Sequence, residues 1–389
     1  MRLTYVRFPS PTRSRRSLSS KAVTGVRTRA TRAILAAATA LLVAASGACS
    51  AGSSAAPGVA DGGRLLADVA PVDDPRALEG PTTALVADAA VRPVVDAPAP
   101  ALPVTVTDAQ GTEVTVTDVS RVLALDVYGT LSRTVFELGL GDRVVGRDVS
   151  SGFAEIADRP LVTAGGHDLS AEAILDLAPT VLVTDTTLGP WDVVLQVRDA
   201  GIPVVVVDAH RDVAGVGDLV RQVAGALGVA DAGERLAQRA QDEIDAKVRQ
   251  IAAVASSDPA DRLRIMFLYA RGQAGVYYLF GEGSGADSLI ESVGGVDVAG
   301  EIGWEGMRPL NDEGLVAAAP DVILMMTDGL ESVGGVDGLL ERLPAIASTP
   351  AGERRRVVDM ADAQVLSFGP ATADVLDALA VALYAPAAT

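Results

Sequence analysis

A single cysteine in 389 residues excludes internal disulfides and any metal centre built on thiolates. Membrane-spanning runs are missing too. The apolar segment Ala33–Ala45 is too short to cross a bilayer comfortably, and no second segment is long enough to be a membrane helix. No Ser-His-Asp or G-x-S-x-G arrangement occurs, and no pair of carboxylates can be assigned to one catalytic cleft, so hydrolytic chemistry has no carrier. Aromatic residues make up only 4% of the chain, yet 49% of it is hydrophobic, enough for one or two large cores.

Positive charge is scarce except at the start. Residues 1–48 carry no acid and nine Lys or Arg, all of them ahead of an Ala-rich apolar segment, the grammar of an export signal. Removing those nine cations takes the formal charge from −18 to −27, and so acidic a body will not seek nucleic acid. Cys49, in Ala-Ser-Gly-Ala-Cys directly after the apolar segment, resembles a bacterial lipobox, although Ser46 stands where leucine is usual. That resemblance implies a lipidated mature N-terminus at Cys49. Residues 49–103, rich in Ala, Gly, Pro and Ser, read as a flexible tether.

The body opens with a hairpin signature, Val104–Thr107 and Thr112–Val116 around Asp-Ala-Gln-Gly. Apolar strand-like runs at 122–125, 181–183 and 204–207 then alternate with helical segments, which predicts a parallel sheet in a first lobe over 104–210. Residues 211–258 read as a helical connector, and a second α/β lobe over 259–389 restarts with a strand from Arg264.

One unit occurs twice. LSAEAILDLAPTVLV at 169–183 returns as LNDEGLVAAAPDVIL at 310–324, 141 residues later, which is too long a period for a solenoid. In each copy a capping Ser170 or Asn311 precedes a helix with Glu172 or Glu313 in its first turn, and a proline stops the helix before a buried strand.

With Phe-Glu-Leu-Gly-Leu-Gly-Asp-Arg-Val-Val-Gly at 136–146 and Ser-Gly-Ala-Asp-Ser-Leu-Ile-Glu-Ser-Val-Gly-Gly at 284–295, the repeated unit resembles the helical-backbone class of ABC-transporter substrate-binding proteins, those for iron-siderophores, haem and cobalamin, over about 104–389. The resemblance implies two parallel-sheet α/β lobes joined by a long helical backbone, with small cleft closure. It also implies that Glu172 and Glu313, one on each lobe, dock against arginines of a membrane permease that works with an ATPase. The protein is then a monomer held by lipid on the outer face of the cytoplasmic membrane.

Two histidines are too few for the members of that class that hold zinc or manganese. His167, in Gly-Gly-His-Asp before a helix, lies in a loop expected to open on the inter-lobe crevice. Tyr269, in Phe-Leu-Tyr-Ala-Arg-Gly at the end of the first strand of the second lobe, is expected at the same crevice, with Arg271 on its face of the strand. Ferric haem accepts His or Tyr as an axial ligand, and a nearby cation favours the phenolate. This trio resembles that of the haem-binding lipoproteins of actinobacterial uptake systems. The resemblance implies His167 and Tyr269 as axial ligands of a transported haem b, Arg271 as support, and a methionine at 326 or 325 near the tyrosine. Tyr128 could line the porphyrin, and Arg147, Trp304 and Arg308 could wall it. His210 reads as structural.

A ferric-siderophore binder of the same fold, with Arg147, Arg271 and Arg308 as an anion clamp, is the competing reading, and cobalamin a further one. A haem reservoir would use the same ligands without a permease. The loop Gly-Glu-Gly-Ser-Gly at 281–285 loosely resembles a dinucleotide loop but has Ala at 286, and an exported protein meets little NAD, so no enzyme is expected.

Overall fold

The computed structural model describes residues 63–309 and 312–387. The leader over 1–48 and Cys49 lie outside the described residues. No helix among those described is long and apolar enough to cross a membrane.

The first lobe is built on three parallel strands, Val122–Leu125, Val181–Thr184 and Val204–Val206, in that spatial order. Every residue in them is buried, which is why they read as unbroken apolar runs: helices cover both faces, Leu131 and Val220 packing on one and Ile174 and Val193 on the other. Val144 adds a one-residue bridge beside Val122, and the hairpin Val104–Thr107/Glu113–Val116 forms a separate antiparallel pair.

The second lobe holds a seven-stranded sheet, in the order Thr82–Ala84, Val357–Met360, Val322–Met326, Arg264–Arg271, Val276–Phe280, Met307–Pro309, with Val296–Asp297 also paired to Arg264–Arg271. Its core is parallel, but the last two strands of the row run antiparallel to their neighbours, an edge ribbon that the expectation of a purely parallel sheet lacks.

Between the lobes runs the helix Ala230–Ala252, 23 residues and so roughly 35 Å long at about 1.5 Å per residue. Ala232, Leu236 and Ala237 pack into the first-lobe core, whereas Ala240, Ile244 and Ile251 pack into the second. The helix Val216–Ala226 lies against it, and the close crossing needs a glycine. A Cβ on Gly233 would come within 2.3 Å of Ala224 Cβ.

The stretch read as a flexible tether is, from Gly63 onward, part of the folded body. Leu66 is 4% exposed in the second-lobe core, and Thr82–Ala84 pairs with Val357–Met360. The chain then reaches the first lobe. The Arg133 guanidinium donates to the carbonyls of Ala89 and Ala90, both at 2.8 Å, and the Val94 amide donates to the Glu137 carbonyl. Arg92 pairs with Glu243 on the long helix at 3.0 Å and with Asp374 of the second lobe at 3.2 Å. Composition hides this strap because its anchoring residues, Leu66, Val91, Val94 and Val95, are scattered through Ala, Pro and Gly without a helix or strand period. Leu66→Ala should therefore cost about 2–3 kcal/mol in urea unfolding, as for a core leucine. In a true tether it would cost nothing.

Candidate functional site

His167 sits at the tip of a short hairpin, Thr163–Ala164 paired with Asp168–Leu169. Gly165 (φ 59°) and Gly166 (φ 103°) make the turn, conformations that side chains with a Cβ rarely adopt. The ring is half-buried, and its Nδ1 is buried without a hydrogen-bond partner. Burial lowers its pKa, the charge of Arg271 lowers it further, and Asp168 opposes both, so the imidazole is neutral at pH 7 and keeps a free lone pair. Arg271 belongs to the other lobe, so the structure brings the predicted histidine and arginine together across the crevice.

The strand Arg264–Arg271 carries both Tyr269 and Arg271. Met266, Leu268 and Ala270 face one core while Ile265 and Phe267 face another, and alternation puts Tyr269 and Arg271 on the side of Phe267. The Arg271 guanidinium lies 5.7 Å from the Tyr269 ring centroid, and Phe280 packs 6.2 Å from the same ring. Tyr278 pairs directly with Tyr269. On the other side, Met325 pairs with Leu268, so continuing the register by one residue sets Met326 beside Tyr269. Of the two candidate methionines, Met325 is fully buried on the opposite face, and only Met326 is half-exposed on Tyr269's row.

Tyr128, from the first lobe, packs against the second-lobe core and lies under Arg211, whose guanidinium is 5.6 Å from its ring centroid. Burial raises its pKa against the pull of Arg211, so the phenol stays protonated. Arg211 anchors a buried polar cluster at the carboxyl ends of the first-lobe strands, where open α/β sheets form their crevices. Its Nη2 is 2.6 Å from Asp185 Oδ2 and 3.6 Å from Asp126 Oδ2, and Asp148 accepts the Asp126 amide. Two buried carboxyls, Asp126 and Asp185, thus share one cation, with Asp148 beside Asp126. Burial first, then the Asp148 charge, pushes Asp126 up to about 7; burial lifts Asp148 to about 6 and Asp185 in the same direction. Sequence reading missed this cluster, although an aspartate directly after each of the strands ending at Leu125 and Thr184 was a legible signal.

The remaining wall candidates divide. Arg147 is half-buried and turns toward the carbonyls of Asp148 and Ser151. Arg308 pairs in register with Leu279, whose side chain is in the core behind the sheet, and it meets Glu305 at 3.5 Å, so it faces away from Tyr269. Trp304 packs on that same rear core. His210 bonds Asp212 at 3.0 Å at the surface. The amides of Gly283 and Gly285 are taken by the Asp287 carboxylate, leaving no phosphate cradle in the glycine loop.

Glu172 is exposed in the first turn of the helix Ala171–Asp176, capped by Ser170, and Glu313 occupies the matching turn of Asp312–Ala318. A cavity of about 210 Å³ lies between the lobes under the strap, lined by Gly129, Thr130, Phe153 and Gln364 among others; it includes none of His167, Tyr269 and Arg271. It is also smaller than the roughly 300 Å³ at which ligand pockets begin. The expected ligand face, between the His167 hairpin and the Tyr269 strand, thus lies outside this cavity.

Residues 127–363 match the sequence model of a family described as periplasmic binding protein. A solved structure of the heme binding protein HmuT, in an arginine-to-alanine variant, is 43% identical, with a TM-score of 0.77, covering 82% of this chain and 97% of that one. Other HmuT structures carry alanine at a histidine or at a tyrosine, the tyrosine two positions before the arginine. The periplasmic heme-binding protein RhuT from Roseiflexus sp. RS-1 is 36% identical, with a TM-score of 0.62, covering 69% and 98% of the two chains. An uncharacterized ABC transporter substrate-binding lipoprotein of Bacillus subtilis (strain 168), YvrC, is 23% identical over 290 residues, 72% of this chain and 86% of that protein.

Proposed function

This chain belongs to the periplasmic binding protein family, and on that premise we propose that it captures haem between its lobes outside the cytoplasm and delivers it to an ABC-transporter permease. It is a carrier and breaks no bond in its cargo. The observation that carries the reading is the neutral His167 of one lobe, its Nδ1 without a hydrogen-bond partner, within reach of the charge of Arg271, which lies over the Tyr269 ring of the other. The similarity to HmuT, whose variants touch a histidine and a tyrosine and arginine with this same two-residue spacing, supports it.

In this reading His167 and Tyr269 ligate the ferric iron from opposite sides, one neutral nitrogen and one hard oxygen. Arg271 stabilises the phenolate, and Met326 and Tyr128 line the porphyrin edge. Glu172 and Glu313 are the docking anions for a dimeric permease, one per lobe, and favour orientation and on-rate. A lipid on Cys49 keeps the protein, a monomer, at the outer face of the membrane. The siderophore alternative fares worse because Arg308 points behind the sheet, which removes one arm of a three-arginine clamp.

The test is an absorption titration of residues 50–389 with hemin. A saturable shift of the Soret band is expected. A flat titration would move the assignment to ferric siderophores while leaving the transport role in place.

A further inference from the structure

The two repeated units agree in burial as closely as in sequence. Ala178 and Ala319, 141 residues apart, both adopt positive φ, 42° and 40°, before their prolines. Ile174 and Leu315, at the same spacing, are both fully buried. One residue further on, Leu175 and Val316 are both among the exposed large hydrophobic residues, at 37% and 50%. A lone exposed aliphatic side chain needs no explanation. The same exposure at the same register of two units, on helices with otherwise different sequences, does.

Leu175 follows Glu172 by three residues and Val316 follows Glu313 by three, a spacing that places both members of each pair on one helix face. We propose that Leu175 and Val316 are the apolar half of a two-point docking surface, each seating in a shallow apolar pocket of the permease beside the cation that receives the neighbouring glutamate. The partner is thus a membrane protein that presents, twice, a basic side chain next to an apolar hollow. Duplication of the patch fits a partner made of two like subunits. Acid and aliphatic side chain divide the labour: the charge steers the encounter, whereas desolvation of the aliphatic group slows departure. The inference rests on the reading of Glu172 and Glu313 as docking residues.

The experiment measures binding of the haem-loaded protein to its haem permease with ATPase in nanodiscs. Leu175→Gln and Val316→Gln should each weaken binding about tenfold, mainly through faster dissociation, while Leu175→Met stays close to the parent. Hemin titration and the urea midpoint of each variant should match the parent, because both positions are exposed. Parent-like binding by the double glutamine variant, with Glu172→Ala and Glu313→Ala still weakening it, would overturn this proposal and leave the docking reading standing. If the alanine variants also bind like the parent, the docking reading fails, and this inference with it.

Discussion

Tyr269→Ala should weaken hemin binding by more than about a hundredfold and alter the Soret band, and Tyr269→Phe should do nearly the same. The comparison separates two contributions. Phenylalanine keeps the ring against Phe280, 6.2 Å away, and under Arg271, so it preserves packing and removes only the oxygen. A ferric ion loses a hard anionic ligand in both variants, a larger loss than the 10–100-fold typical of removing a supporting residue around a metal. Arg271→Ala belongs to that second class, with the phenolate less stabilised and His167 freed from a nearby positive charge. His167→Ala should leave a spectrum of tyrosinate-ligated haem. Parent-like affinity in Tyr269→Phe would show that the tyrosine is only a platform and would leave His167 without its partner.

Arg211→Ala should cost roughly 3–5 kcal/mol of folding stability near neutral pH, the range for stripping one partner from a buried ionic cluster. Asp126 and Asp185 would keep their burial and lose the cation they share, with the Asp148 carboxyl still beside Asp126. The loss must depend on pH. In the parent, Asp126 has its folded pKa raised to about 7 from an ordinary value of 3.8, so the folded state holds a proton that the unfolded state releases. The resulting stability is fully present below about pH 4 and is lost as pH rises through about 7. Removing Arg211 takes away an influence that lowers these values, so the decline steepens and extends upward. Urea unfolding at pH 5 and pH 8 should show a small difference between variant and parent at the lower pH and a large one at the higher. Equal differences at both would mean that the guanidinium acts by packing on Tyr128 rather than by charge.

Much of this organisation was legible from local pattern. Buried parallel strands announce themselves as unbroken valine and leucine runs, and the runs expected near 122, 181 and 204 lie where strands are found. The long helix carried its apolar period in Leu236, Ala240 and Ile244. His167 and Tyr269 could be nominated because a glycine-loosened loop and a strand end both feed the crevice. Long-range pairing was not legible. Thr82–Ala84 has no pattern of its own and is a strand only because Val357–Met360 offers an open edge 276 residues away. Tyr278 looked like any strand aromatic until the antiparallel register set it opposite Tyr269. Arg211 was invisible for the same reason, since its partners come from three separate stretches of chain.

The strap alters what kind of motion the lobes can make. A body joined to another at one place can twist and slide as well as swing. Here the chain crosses twice, once along the helix Ala230–Ala252 and once through the segment in which Arg92 meets both Glu243 and Asp374. Two pivots define an axis, as two hinges do for a door, and they leave a single angle free.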